Sequence, residues 1–254
     1  MNLIFFDIDG TLAIGRDIPK SAEKALARLR QNGDLVFICT GRSRNYVEQH
    51  FGSYADGFVC SNGRLAFKGT DILYDCPLTE GQLRDLVSRL DEVGAVYLFF
   101  GENSACYGGD PACYEEVLAS FDQGDLSVGI DPAVDKLYSF DVCFRDIEHR
   151  KQIEQALQGI CLLNPHGPHP SADVTVLGVD KGTAIKNVAK QLQIDRDHTY
   201  AFGDGVNDIC MIQTAGHGIA MGNAVEELKQ QADYITTDIL EDGVWNGLKH
   251  YHLI

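Results

Sequence analysis

The sequence predicts an α/β fold: a doubly wound parallel sheet whose chain is interrupted by an inserted α+β domain. Three observations carry this expectation. Leu3-Ile4-Phe5-Phe6 is an unbroken apolar run that ends in Asp7-Ile8-Asp9-Gly10-Thr11. Such a run reads as a strand buried on both faces, with acids at its carboxyl end. Strand and helix patterns alternate up to about Asp75 and again after Gly178, which implies parallel strands joined by right-handed crossovers. Between Pro77 and Gly178 paired strands replace that alternation. The expected division is a discontinuous core, residues 1–77 and 179–254, with residues 78–178 inserted and Pro77 and Gly178 as hinges.

The elements follow in order. The first strand, residues 3–6, precedes a helix over 22–31. Ser21 is the expected N-cap of this helix, Glu23 lies in its first turn and Gly33 just past its end. Residues 35–39, 45–51 and 57–60 read as strand, helix and strand. Residues 65–74 read as a hairpin turning at Lys68-Gly69-Thr70-Asp71. In the insertion the pattern gives a helix over 82–90, strands over 96–100 and 106–108, and a helix after Pro111. A strand over 137–144, a helix over 148–157 and strands near Cys161 and Val174 follow. The closing section reads as helix 183–192, strand 199–202, short helix 211–215, strand 218–221, helix 224–232, strand 234–236 and a terminal helix 244–251.

Composition narrows the function. The chain has 254 residues, 44% of them hydrophobic, enough for a sizeable core. Its 37 acids against 21 Lys and Arg give a net charge of −16, which argues against nucleic acid or an anionic membrane as partner. An anionic substrate would need local positive charge. None of the eight cysteines forms a C-x-x-C pair, and Cys39 and Cys60 lie in apolar runs as small hydrophobes. The N-terminus enters a strand directly, and no apolar stretch is long enough to span a bilayer. A cytoplasmic, reduced protein is the expectation.

Four segments carry chemistry. On an extended backbone Asp7 and Asp9 point the same way, and such carboxylates repel unless a cation or a shared proton intervenes. Oxygen-only ligands favour a hard cation such as Mg²⁺. The ordinary alternative is that both acids cap a turn. An EF-hand calcium loop is excluded because Gly10 is fourth rather than sixth in the pattern. Thr40-Gly41-Arg42 follows a strand directly, near a helix start. There a hydroxyl and backbone N–H groups can bind an oxyanion such as phosphate, and an ordinary strand-to-helix turn is the alternative. Lys181 sits at a helix start, where its charge opposes the dipole. A solvated lysine is the ordinary reading, and an anion between lysine and helix is the functional one. Gly203-Asp204-Gly205-Val206-Asn207-Asp208 again puts acids at a strand end. Asp208 replaces the third glycine of a dinucleotide fingerprint, which points to a metal instead, with a capping turn as the ordinary alternative. His166 and His169, among prolines, read as a rigid exposed loop, with a metal pair as the alternative.

Taken together these segments resemble the haloacid-dehalogenase (HAD) superfamily phosphatases, of the Cof-type subgroup with a large inserted cap. Asp7-Ile8-Asp9-Gly10-Thr11 matches the first motif, and Thr40 with Gly41-Arg42 the second. Lys181 matches the third, and Gly203-Asp204 with Asn207-Asp208 the fourth. Ser61-Asn62-Gly63 and the stretch from Gly218 to Ala224 also resemble the subgroup. The resemblance implies a Rossmann-like core and a Mg²⁺-dependent phosphatase acting on a small phosphorylated metabolite; a cap closing over the site leaves little room for a polymer, so a small polar leaving group, a sugar first, is expected. It implies Asp7 as nucleophile and Asp9 as acid and base. Asp7, the Asp9 backbone carbonyl and Asp204 would hold the metal, and Thr40, Gly41, Lys181 and Asn207 the phosphate. Gly10, Thr11, Arg42, Asn62 and Asp208 would support them. A phosphomutase on the same core, or a non-catalytic phosphometabolite-binding protein, are the alternatives. The insertion matches the family only in its order of elements, so substrate identity does not transfer.

Overall fold

The computed structural model describes residues 1–102, 104–109, 126–131, 133, 135–167 and 169–254. The chain divides into two compact units. One comprises Met1–Arg42, Val47–Asp75 and Val179–Ile254, the other Ser43–Tyr46 and Cys76–Gly178.

The chain begins with β1 (Leu3–Phe6), α1 (Lys20–Gln31), β2 (Leu35–Cys39), α2 (Arg44–Phe51), β3 (Gly57–Cys60), β4 (Leu65–Lys68) and β5 (Asp71–Asp75). It continues through α3 (Glu80–Glu92), β6 (Val96–Gly101), β7 (Ala105–Gly108), β8 (Leu126–Val128), β9 (Leu137–Cys143), α4 (Ile147–Ala156), β10 (Cys161–Pro165) and β11 (Ser171–Val176). It closes with α5 (Lys181–Gln191), β12 (Thr199–Gly203), α6 (Ile209–Thr214), β13 (His217–Ala220), α7 (Glu226–Lys229), β14 (Tyr234–Ile235) and α8 (Gly243–His250).

In the first unit eight strands form one sheet, ordered β14-β13-β12-β1-β2-β3-β4-β5. The strands from β14 to β3 are mutually parallel, and β4 and β5 add an antiparallel edge. The acid-tipped strand β1 lies centrally, with Phe6 level with Ile38 of β2 and Phe202 of β12. Phe6 stacks on Phe202 at 4.9 Å between ring centroids, and Phe5 tilts against Phe37 at 5.6 Å. This packing fixes the register that brings Asp7, Cys39-Thr40 and Gly203-Asp204 to one edge of the sheet.

In the second unit six strands, ordered β10-β11-β9-β6-β7-β8, are antiparallel except for the β7–β8 pair. α3 and α4 cover one face through Leu83, Leu86, Leu90 and Ile153, packed on Phe99, Phe140 and Val142. Period-two alternation turns Leu98, Phe100 and Asp141 to the other face.

Three expectations are corrected. α1 begins at Lys20, and Ser21 is not its cap: the Pro19 carbonyl already accepts the Glu23 N–H at 3.0 Å, so the helical ladder starts before Ser21. The helix expected over 224–232 shrinks to the single turn α7, because Val225 is extended (φ −63, ψ 149) and gives its N–H to the Asp204 carbonyl at 2.9 Å. α3 starts two residues earlier than its apolar periodicity indicated. Thr79 and Gln82 form a reciprocal capping box that the pattern reading overlooked. Strand β8 was not anticipated, and the helix expected after Pro111 lies outside the described residues.

Candidate active site

The sheet edge gathers three acids around one lysine. Asp180 caps α5 by accepting the Thr183 N–H at 2.7 Å, which makes Lys181 the first helical residue. Its Nζ lies 2.6 Å from Asp7 Oδ1 and 2.6 Å from Asp208 Oδ1. Lys181 is 1% exposed, so the solvated-lysine reading fails. Asp208, fully buried, spends its other oxygen on the backbone N–H groups of Asp204 and Gly205, both at 3.0 Å. Asp204 Oδ1 accepts the Thr11 hydroxyl at 2.8 Å.

Gly10 is required where it stands. Its φ is +88, and a Cβ there would lie 2.3 Å from Asp204 Oδ2. The Gly10 carbonyl accepts from Asn223 Nδ2 at 2.8 Å, while Asn223 Oδ1 accepts the Ile239 N–H at 3.0 Å. Asn223 was quoted within a motif but given no role. Its place after Gly222 in a loop was the available signal.

The electrostatics follow from burial. Burial pushes the Asp7 carboxyl up to about 8, helped by the Asp208 charge and opposed by Lys181. Burial raises Asp204 to about 6 against the Thr11 hydrogen bond, with Asp208 again adding to the rise. For Lys181 burial favours the neutral form, but Asp208 and Asp7 outweigh it and hold the ammonium well above its ordinary pKa. With all three acids ionised, Asp7, Asp204 and Asp208 would carry three negative charges against one positive on Lys181, leaving two. Carboxylate oxygens of the three acids lie within 4.8 Å of one another. An oxygen-only donor set with two uncompensated charges fits a hard divalent cation.

Asp9 behaves differently from Asp7. Its Oδ2 accepts from Arg42 Nε and Nη2, both at 3.2 Å. The expectation that both acids point the same way assumed a strand running through Asp9. The strand ends at Phe6, and the Ile8 carbonyl accepts the N–H groups of Thr11, Leu12 and Ala13, which winds the chain into a tight turn. Thr40 is buried, with its Oγ1 accepting the Arg42 N–H at 3.2 Å. Asn62 Oδ1 accepts from Asn207 Nδ2 at 3.4 Å. The site residues expected in the first unit therefore lie on the loops that follow β1, β2, β3 and β12 and at the start of α5. His166 and His169 do not pair as ligands. His166 Nε2 lies 3.0 Å from Asp173 Oδ1, and His169 is exposed.

A family model of haloacid dehalogenase-like hydrolases matches residues 4–248. The chain belongs to this family. It is 34% identical to YkrA of Bacillus subtilis (strain 168), over 99% of this chain and 98% of YkrA. It is 25% identical to the pyridoxal phosphate phosphatase YbhA of Escherichia coli (strain K12), over 99% and 98%. Among solved structures it is similar to the HAD subclass IIB sugar phosphatase BT4131, at 27% identity and a TM-score of 0.81, with 100% of each chain covered. As a member of this phosphatase group the chain is a phosphoric monoester hydrolase. Among the described residues no helix is long and apolar enough to cross a membrane.

Proposed function

We propose that the protein hydrolyses a small phosphorylated metabolite, a sugar phosphate in the first instance, through an aspartyl phosphate on Asp7, with Mg²⁺ as cofactor. The observation that carries this reading is the buried Lys181 between Asp7 and Asp208, beside an Asp204 that forms no ion pair among the described residues. Asp7, Asp204 and the Asp9 carbonyl would hold Mg²⁺, which would neutralise the two residual charges and draw charge from the phosphoryl oxygens. Asp208 orients the site through Lys181 and the 204–205 amides.

A carboxylate oxygen of Asp7 attacks phosphorus as the ester P–O bond breaks. Asp9 gives a proton to the departing alkoxide. Asp9 then takes a proton from water, whose oxygen attacks phosphorus while the P–O bond to Asp7 breaks, and inorganic phosphate leaves. The buried Lys181 ammonium, the Thr40 hydroxyl and the Gly41 N–H meet the charge that spreads over the phosphoryl oxygens. Arg42 pairs with the Asp9 carboxylate while Lys181 pairs with Asp7, so the two acids have different cationic partners. The sugar-phosphatase reading is supported by the likeness to BT4131, and the pyridoxal phosphate phosphatase YbhA widens the class to other small phosphate esters.

The inserted unit, taken as residues 78–178, is assigned to selection of the leaving group, because the core groups address only the phosphoryl end. A panel of phosphorylated metabolites assayed for phosphate release with Mg²⁺ tests the reading. Single turnover with a radiolabelled ester should place label on Asp7. Activity that survives excess chelator, or label recovered only on a second hydroxyl of the substrate, would contradict it.

A further inference from the structure

We propose that the turn Ser61-Asn62-Gly63 is a positioning element for the phosphoryl-binding groups, with Asn62 its key side chain. The inference rests on the phosphatase reading above. Three consecutive residues are left-handed here, with φ of 52, 51 and 99. Two of them are not glycine, and such backbone persists where its surroundings over-determine it.

The surroundings are the other motifs. The Ser61 N–H donates to the Arg42 carbonyl at 3.0 Å and the Asn62 N–H to the Thr40 carbonyl at 3.1 Å, so the turn grips both sides of Gly41. A Cβ on Gly41 would sit 3.2 Å from the Asn62 amide atoms. A Cβ on Gly63 would lie 2.1 Å from the carbonyl oxygen of Asp180, the cap that sets Lys181 at the start of α5. The Asn62 side chain, in a residue 7% exposed, meets Asn207. One turn thus touches the Thr40–Arg42 loop, the Lys181 helix cap and Asn207. Asparagine suits the place because it tolerates left-handed backbone and also carries a bridging amide. A turn needing only the backbone would be served by glycine. The consequence is a phosphate cradle whose parts are in register before substrate arrives.

Asn62→Gly deletes the amide and keeps the left-handed backbone. Asn62→Ser serves where the glycine variant does not fold, since Ser61 already holds φ 52 in the same turn. With Mg²⁺ and p-nitrophenyl phosphate, kcat/KM should fall by about 10- to 100-fold. The inhibition constant for inorganic phosphate should rise in parallel, and the Mg²⁺-induced rise in Tm should stay as in the wild type. In a cycle with Asn207→Ala, the double variant should lose no more than the worse single variant. Wild-type kcat/KM and phosphate inhibition in the Asn62 variant, or multiplicative losses in the cycle, overturn the positioning role alone. A wild-type protein that releases no phosphate from any ester overturns the phosphatase reading and this inference with it.

Discussion

Replacing Lys181 with Met tests the centre of the argument, because it removes one charge while roughly keeping the buried volume. The Lys181 side chain is fully buried, with Nζ 2.6 Å from one oxygen of Asp7 and one of Asp208. Without it, three acids crowd one water-poor pocket. Removing one partner of a buried ion pair typically costs ~3–5 kcal/mol. In a chain of this size each kcal/mol moves Tm by about 2–4 °C, so Tm should drop by roughly 6–20 °C. The phosphoryl oxygens lose their buried cation as well, and kcat/KM should fall on the order of 10²-fold or more. Adding Asp208→Asn restores the net charge of the cluster. The double variant should recover part of the Tm and none of the activity, which separates the two roles of the lysine. Thermal melts with and without Mg²⁺, beside steady-state phosphate release, read both quantities. A Tm within about 2 °C of wild type together with unchanged kcat/KM would refute the reasoning.

Three further outcomes are expected. The folded-state pKa values of Asp7 (about 8) and Asp204 (about 6) lie above the ordinary carboxyl value, so the stability they lend the metal-free protein is complete near pH 4 and is lost as pH rises through 6 and 8. Mg²⁺ binding should release protons and raise Tm more at pH 8 than at pH 5; an equal rise at both would contradict this. Asp7→Asn should drop turnover by several orders of magnitude while leaving metal-free Tm equal or higher above pH 8, where one crowded anion is gone; near-normal phosphate release would remove Asp7 as nucleophile. Replacing residues 78–178 with a short linker should flatten the preference among small phosphate esters while leaving some hydrolysis of an activated aryl phosphate, and a retained preference would remove the inserted unit from substrate selection.

How much was legible in the sequence divides along a physical line. Strand ends could be read because β1, β2, β3 and β12 are apolar runs that stop at polar residues, and a parallel sheet places such ends together. The hairpin β4–β5 and the left-handed Gly33 after α1 were legible for the same local reason. The burial of Lys181 was not. Its neighbours in sequence indicate only a helix start, whereas its partners Asp7 and Asp208 follow β1 and β12, strands far apart in the chain that pair in the sheet. The turn after Asp7 was not legible either, because alternation holds only while a strand continues, and β1 ends at Phe6 before the Ile8 carbonyl accepts three N–H groups. α7 was overextended because helical periodicity cannot register that the Val225 N–H is drawn off to Asp204.

These failures share a cause that bears on mechanism. Asp7 and Asp9 look equivalent in sequence, two acids one residue apart, and local rules treat them alike. The fold gives them different cations. Asp7 meets a buried ammonium shared with Asp208, where a carboxylate is desolvated and fixed in place. Asp9 meets the Arg42 guanidinium at a half-exposed position, and the proposed mechanism gives it the acid–base role. A nucleophile has to be immobile and directed at phosphorus, whereas an acid–base group has to be free to take and give a proton. The turn at Ile8 follows Asp7 directly, and on the proposed mechanism it would be the feature that separates the two roles. A substitution that straightened it would be expected to cost activity through Asp9 even with every motif residue retained.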